Sequence, residues 1–132
     1  MGIRVVIADD QRLQRDGYRM ILDSQDDIEV VGEAGDGKQA LALLRRGPVD
    51  VLLMDIEMPR MNGLVAAGRV GADERVLAQG RAPRVILLTA VDVDDHLVAA
   101  ATAGAFAVLY KDTPPEALLS AIRDAAIRDA AL

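Results

Sequence analysis

Five residues of this chain could do chemistry together. Asp9 and Asp10 follow the apolar run Ile3–Ala8, Asp55 follows Val51–Met54, Thr89 follows Val85–Leu88, and Lys111 follows Phe106–Tyr110. Runs of this length, rich in Val, Ile and Leu, are strands rather than helices. In an open parallel sheet all strand carboxyl ends lie along one edge, and ligands bind in the crevice there. Three carboxylates, a hydroxyl and an ammonium from distant parts of the chain would then converge.

Three carboxylates in one crevice repel each other, and a divalent cation among them relieves the repulsion. All-oxygen ligation with few protein donors suits Mg²⁺, which keeps several waters and takes one or two carboxylates plus phosphate oxygens. A carboxylate beside that ion can attack a phosphoryl group and become an aspartyl phosphate. The transfer is mainly positioning and charge stabilisation. A lysine meets one phosphoryl oxygen as a point charge, the metal a second, and a hydroxyl or backbone N–H the third. Lysine is scarce here, with Lys38 and Lys111 against thirteen arginines. Taken singly, each aspartate reads as a helix cap or turn former. All five at strand ends read as a phosphoryl-acceptor site.

The elements that must position these residues alternate along the chain. A fifth run, Ile28–Val31, carries Glu29 within it and Glu33 beyond it, which suits an edge strand. Val51–Met54 and Val85–Leu88 are apolar throughout, as strands buried on both faces should be. Helical spacing appears in Leu13, Gly17, Met20 and Ile21, in Ala40, Leu41 and Leu44, in Leu97, Ala100, Ala101 and Gly104, and in Leu118, Ile122 and Ala125. Asp36-Gly-Lys-Gln39 has the form of a capping box, and Thr113-Pro-Pro-Glu116 a fuller one with Pro114 at the first helical position. The segment Val65–Pro83 reads as a helix over about 64–70, followed by a broken helical connection. Strands alternating with helices predict an α/β protein, a parallel sheet covered on both faces.

Composition bounds the rest. The chain has 132 residues, enough for one domain with its own core. With no cysteine, disulfides, thiol catalysis and cysteine-ligated metal sites are excluded. A net charge of −6 and 2% aromatics leave neither the basic footprint nor the stacking platforms of a nucleic-acid binder. No apolar run reaches membrane-span length, and Met1-Gly-Ile-Arg4 opens into a strand with no signal-peptide pattern, so a cytoplasmic location without membrane contact is expected. His96, the only histidine, sits among Asp92, Asp94 and Asp95 and reads as solvated surface rather than a metal ligand. Met54, Met58 and Met61 read as packing, and Gly35-Asp-Gly37 as a turn plus cap. Ala-Ile-Arg-Asp-Ala at 121–125 recurs at 126–130. A five-residue step cannot keep one helical stripe, so the repeat reads as a fraying helix end or the start of a connector.

With those residues placed, the sequence resembles the receiver domain of two-component response regulators, most closely the NarL/FixJ subfamily. The resemblance is carried by Ile3-Arg-Val-Val-Ile-Ala-Asp-Asp10, Ile28-Glu-Val-Val-Gly-Glu-Ala34, Val51-Leu-Leu-Met-Asp-Ile-Glu-Met-Pro-Arg-Met-Asn-Gly63, Val85-Ile-Leu-Leu-Thr-Ala90 and Leu109-Tyr-Lys-Asp112. It implies a flavodoxin-like (CheY-like) three-layer α/β/α sandwich, with a five-stranded sheet of order 2-1-3-4-5, the order for which the chemotaxis receiver is a standard example. It implies one receiver domain over 1–132 that works as a phosphorylation-dependent switch rather than an enzyme. Asp55 would be the phosphoacceptor, loaded by a histidine kinase. Asp10, Asp55 and the backbone carbonyl of Glu57 would ligate Mg²⁺, with Asp9 acting through water. Thr89 would follow the phosphoryl group and Lys111 would pair with it, while Pro59 and Gly63 shape the acceptor loop. Association would change through the fourth helix, fifth strand and fifth helix, or through the first and fifth helices, giving a homodimer on phosphorylation. The resemblance further implies a C-terminal helix-turn-helix domain beyond this chain that contacts DNA and regulates transcription.

Rival readings are a stand-alone receiver with protein partners only, and a Mg²⁺-dependent phosphatase with Glu57 as second acid. The Asp9-Asp10 pair and the fit of the whole chain argue against the phosphatase. Three departures from the family pattern stand out. Val108 occupies the place of an aromatic that moves with the threonine, Asp112 follows the lysine where the wider family often has proline, and the connection from Gly63 to Arg84 is long. Either Tyr110 supplies the moving ring, or Thr89 and its loop act alone and Tyr110 is static.

Overall fold

The computed structural model describes residues 2–80 and 82–127. The apolar runs form β1 Ile3–Ala8, β2 Ile28–Ala34, β3 Val51–Asp55, β4 Arg84–Thr89 and β5 Ala107–Tyr110. All pair in parallel in the order β2-β1-β3-β4-β5, as expected. β2 is an edge strand, and its register against β1 slips by one residue between Val5 and Val6, a bulge where an edge tolerates it. The helices are α1 Arg12–Asp23, α2 Gly37–Arg46, α3 Gly63–Val70, α4 Glu74–Leu77, α5 Leu97–Ala103 and α6 Pro115–Ala126. The broken connection contains the short α4, so the helices expected as fourth and fifth are α5 and α6. Gly80 turns the chain back with φ of 117°.

Alternation along the strands builds two cores. Val5, Ile7, Val51, Leu53, Ile86 and Leu88 face α1 and α6, where they meet Tyr18, Leu22, Leu118 and Ile122. Val6, Ala8, Leu52, Met54, Val85 and Leu87 face the other way, onto α2, α3, α4 and α5. Met58 and Met61 join this second core, so the methionines are packing residues as read.

Two helical stripes differ from expectation. In α1, Leu13 and Met20 are 85% and 76% exposed, and the buried residues are Tyr18 and Leu22. Polar contacts set the rotation of this helix. The Arg15 guanidinium donates to the Asp9 carbonyl at 2.7 Å and to Glu33 at 3.2 Å, and Arg19 donates to Glu33 at 2.7 Å. Arg15, Tyr18, Arg19 and Leu22 lie at i, i+3, i+4 and i+7, one face, so the clasp and the core demand the same orientation. In α5, Leu97 and Ala101 face outward and only Ala100 is buried. The stripes expected in α2 and α6 are buried.

Of the two expected caps, Asp36 behaves as read. It accepts the Gln39 N–H at 2.8 Å, while Gln39 Oε1 reaches back to the Gly35 N–H at 2.9 Å. Thr113 does not cap α6. That helix starts at Pro115 behind Pro114, with no side-chain cap. Two successive prolines remove amides that a cap would satisfy, and the Ala117 and Leu118 N–H groups both reach the Pro114 carbonyl at 3.0 Å. The first copy of the five-residue repeat buries Ile122 and Ala125, whereas most of the second lies outside the described residues.

Candidate functional site

Side-chain alternation continues past the strand ends and sorts the site residues by face. Val5 and Ile7 lead to Asp9, Val51 and Leu53 to Asp55, and Leu109 to Lys111, all on the α1/α6 side. Val85 and Leu87 lead to Thr89 on the opposite side. Asp9, Asp55 and Thr89 are fully or almost fully buried, and Asp10 is exposed.

The three aspartates meet. Each offers a carboxylate oxygen within 4.8 Å of the others. Lys111 joins them, with Nζ 2.8 Å from Asp55 Oδ2 and 3.7 Å from Asp9 Oδ2. The Asp55 carboxylate also accepts the Glu57 N–H on Oδ1 at 3.1 Å, and Asp9 Oδ1 accepts the Gln11 N–H at 2.9 Å. Thr89 reaches the same edge, but its Oγ1 accepts the Val91 N–H at 3.1 Å rather than bonding a carboxylate of the described residues. The Glu57 side chain leaves the cluster, with Oε2 3.9 Å from His96 Nε2. His96 is therefore not the solvated residue expected. Its side chain is mostly covered, and Nε2 is buried without a hydrogen-bond partner. The imidazole is carried by the 3₁₀ turn Val93–His96, which Asp92 caps.

Burial raises the pKa of both Asp9 and Asp55 from the ordinary 3.8. For Asp9 the Gln11 N–H pulls the other way, and Asp55 and Asp10 add to the rise. For Asp55 the hydrogen bond and charge of Lys111 offset part of it. Burial alone would lower Lys111, but Asp55 and then Asp9 outweigh it and raise its pKa. One ammonium among three carboxylates leaves the pocket net negative, and Asp9 Oδ2 is buried with no hydrogen-bond partner among the described residues. Hard oxygen donors carrying excess charge fit a Mg²⁺ ion.

The loop after β3 positions Asp55. Gly63 N–H donates to the Ile56 carbonyl at 2.8 Å, and a Cβ on Gly63 would run into the Asp55 carbonyl oxygen. No other residue type fits there. Arg60 sits in this loop at φ 64° and donates to Asp36 Oδ2 at 2.6 Å, tying the loop to the start of α2. Sequence reading found Gly63 and missed Arg60, Arg15 and Tyr18. Arginines on a helix or a loop carry no signal until their carbonyl or carboxylate partners are placed.

A model of the response regulator receiver domain matches residues 5–123. The uncharacterized transcriptional regulatory protein YxjL of Bacillus subtilis is 41% identical over 124 residues, covering 94% of this chain and 54% of that protein. The nitrate/nitrite response regulator protein NarP of Escherichia coli is 40% identical over 120 residues, covering 91% and 53%. The chain thus spans about half the length of the curated relatives it matches. Among solved structures, the signal receiver domain of NarL from Mycobacterium tuberculosis is 35% identical, with a TM-score of 0.85 over 95% of this chain and 96% of that one. A CheY-like receiver domain protein from Methanospirillum hungatei is 26% identical, with a TM-score of 0.80 over 94% and 93%.

Proposed function

Because the chain belongs to the response regulator receiver domain family, we propose that it is a switch loaded on Asp55 by a histidine kinase. The observation that carries this reading is Asp55 itself, buried at the end of β3 with Lys111 at 2.8 Å and two further aspartates beside it. An Asp55 carboxylate oxygen attacks the phosphorus of a phosphohistidine. The P–N bond breaks, the electron pair leaves with the imidazole, and a C–O–P acyl phosphate forms. Lys111 turns from the carboxylate to a phosphoryl oxygen, and the Glu57 N–H holds the other carboxylate oxygen in place. Asp10, Asp55 and the Glu57 carbonyl would hold Mg²⁺, with Asp9 behind a metal-bound water. When bound, that ion neutralises charge on the transferring oxygens.

Thr89 would release the Val91 N–H to bond the phosphoryl group, which frees the loop from Ala90 to His96. Exposed Val98, Leu97, Phe106 and Tyr110 line the face that this loop joins, and Leu13 and Met20 line a second on α1. Phosphorylation would change self-association through one of them. The relatives' names point to transcriptional output, which here would reside in a helix-turn-helix domain beyond residue 132. A cytoplasmic location goes with this reading, and no described helix is long and apolar enough to cross a membrane.

Mass spectrometry after incubation with a small phosphodonor and Mg²⁺ tests the assignment. The parent gains one base-labile phosphoryl group, Asp9→Asn gains it more slowly, and Asp55→Asn gains none. Undiminished labelling of Asp55→Asn sinks it.

A further inference from the structure

Tyr18 is a buried phenol that the proposed reaction does not use. It is 7% exposed, lies in the core shared by α1, β1 and β3, and its hydroxyl has no hydrogen-bond partner among the described residues. Among the described residues only one other buried side-chain oxygen is in that position, Asp9 Oδ2. The two belong to the same face. The rows Val5–Ile7–Asp9 and Val51–Leu53–Asp55 end in carboxylates on the side of the sheet that α1 covers, and Tyr18 packs into the core on that same side. Burial first, and then the charges of Asp9 and Asp55, push the Tyr18 hydroxyl up to about 12, so the phenol stays protonated. It remains a donor at any working pH. A buried donor and a buried acceptor left unsatisfied on one face each cost free energy, and a single bridging water serves both.

We propose that Tyr18 is a positioning residue of the metal site, its hydroxyl donating through one buried water to Asp9 Oδ2. Asp9 then has both oxygens fixed, Oδ1 by the Gln11 N–H and Oδ2 by Tyr18. A carboxylate held this way presents a fixed acceptor to the waters of a bound cation. Arg15 pins the Asp9 carbonyl from the same helix, one turn before Tyr18. α1 therefore grips Asp9 by its backbone and by its side chain. This inference rests on the Mg²⁺ reading of the site.

The test compares parent, Tyr18→Phe and Tyr110→Phe, titrated with Mg²⁺ alone. Tyr18→Phe keeps the ring and removes the donor. Its Mg²⁺ Kd rises about tenfold, the low end of what losing an outer-shell partner costs. Without the ion it melts somewhat lower than the parent, because the water-mediated bond to Asp9 is lost. A merely structural tyrosine would lower the melting temperature and leave the Kd unchanged, and that result overturns the proposal. The chain has no tryptophan and two tyrosines, so Tyr110→Phe leaves Tyr18 as its only tyrosine fluorophore. Its emission changes with a midpoint equal to the Mg²⁺ Kd. A flat emission through saturation overturns the proposal even where Tyr18→Phe fails to fold. If the parent itself binds no Mg²⁺, the metal reading and this one fall together. If the parent binds and Tyr18→Phe binds equally well, only the role of Tyr18 falls.

Discussion

The half of the sheet that holds Asp55 and the half that would report on it are built to different standards. β1 and β3 are central strands, and every residue of β3 is buried. The helix α6 buries Leu118, Leu119, Ile122 and Ala125, and α2 buries four residues. On the other side, β5 is half-buried to exposed throughout, α5 buries Ala100 alone, and Val98 is 80% exposed. Local opening costs least where few apolar contacts are lost. The contrast amounts to a division of labour. Asp55 is held in a well-packed frame, whereas the loop from Ala90 to His96 buries no residue and can rearrange without unfolding the core.

The hardest blow to this contrast is Gly63→Ala. The added methyl meets backbone, which cannot yield, so it should cost about 3 kcal/mol and abolish phosphodonor labelling. Denaturant melts and mass spectrometry check both. Next comes a pair of truncations. Ile122→Ala should cost about 3 kcal/mol, against less than about 0.5 kcal/mol for Val98→Ala. Equal costs would erase the difference between the halves.

A smaller effect concerns pH in metal-free buffer. Because burial raises the pKa of Asp9, the folded state holds its proton more tightly than the unfolded chain does. The stability linked to that proton is complete below the ordinary 3.8 and is lost as pH rises through the raised value. Asp9→Asn should therefore gain on the parent as pH rises across that window, then run parallel to it. Thermal melts from acid to neutral pH follow the difference. The least effect is expected of Tyr110→Phe. Tyr110 Oη accepts the Val93 N–H at 3.3 Å, a long bond on an exposed ring, and losing it should cost less than about 1 kcal/mol. If a phosphorylation-dependent change in sedimentation disappears with it, the bond is part of the switch and Tyr110 is the moving group.

The parallel sheet and its order were legible because the apolar runs are short and uninterrupted, and the convergence of strand-end residues because strand ends share an edge. Asp9, Asp10, Asp55 and Lys111 do meet. Helix rotation was not legible in α1, where Leu13 and Met20 mimic a core stripe. The true face is set by Arg15 and Arg19 reaching Glu33 on β2, a contact that exists only after folding. His96 was misread for a similar reason. Its neighbours in sequence are aspartates, but its neighbour in space is Glu57. Thr113 shows the opposite limit, where a good local pattern lost to two prolines that leave little to cap.

The start of β1 and the last turn of α6 share one residue, Asp27, at the end of the sheet away from the acidic cluster. The Ile3 N–H donates to the Asp27 carbonyl at 2.7 Å, and Arg123 near the end of α6 holds the Asp27 carboxylate at 2.9 Å. A pull on either element therefore loads the other through Asp27, without passing through the site residues.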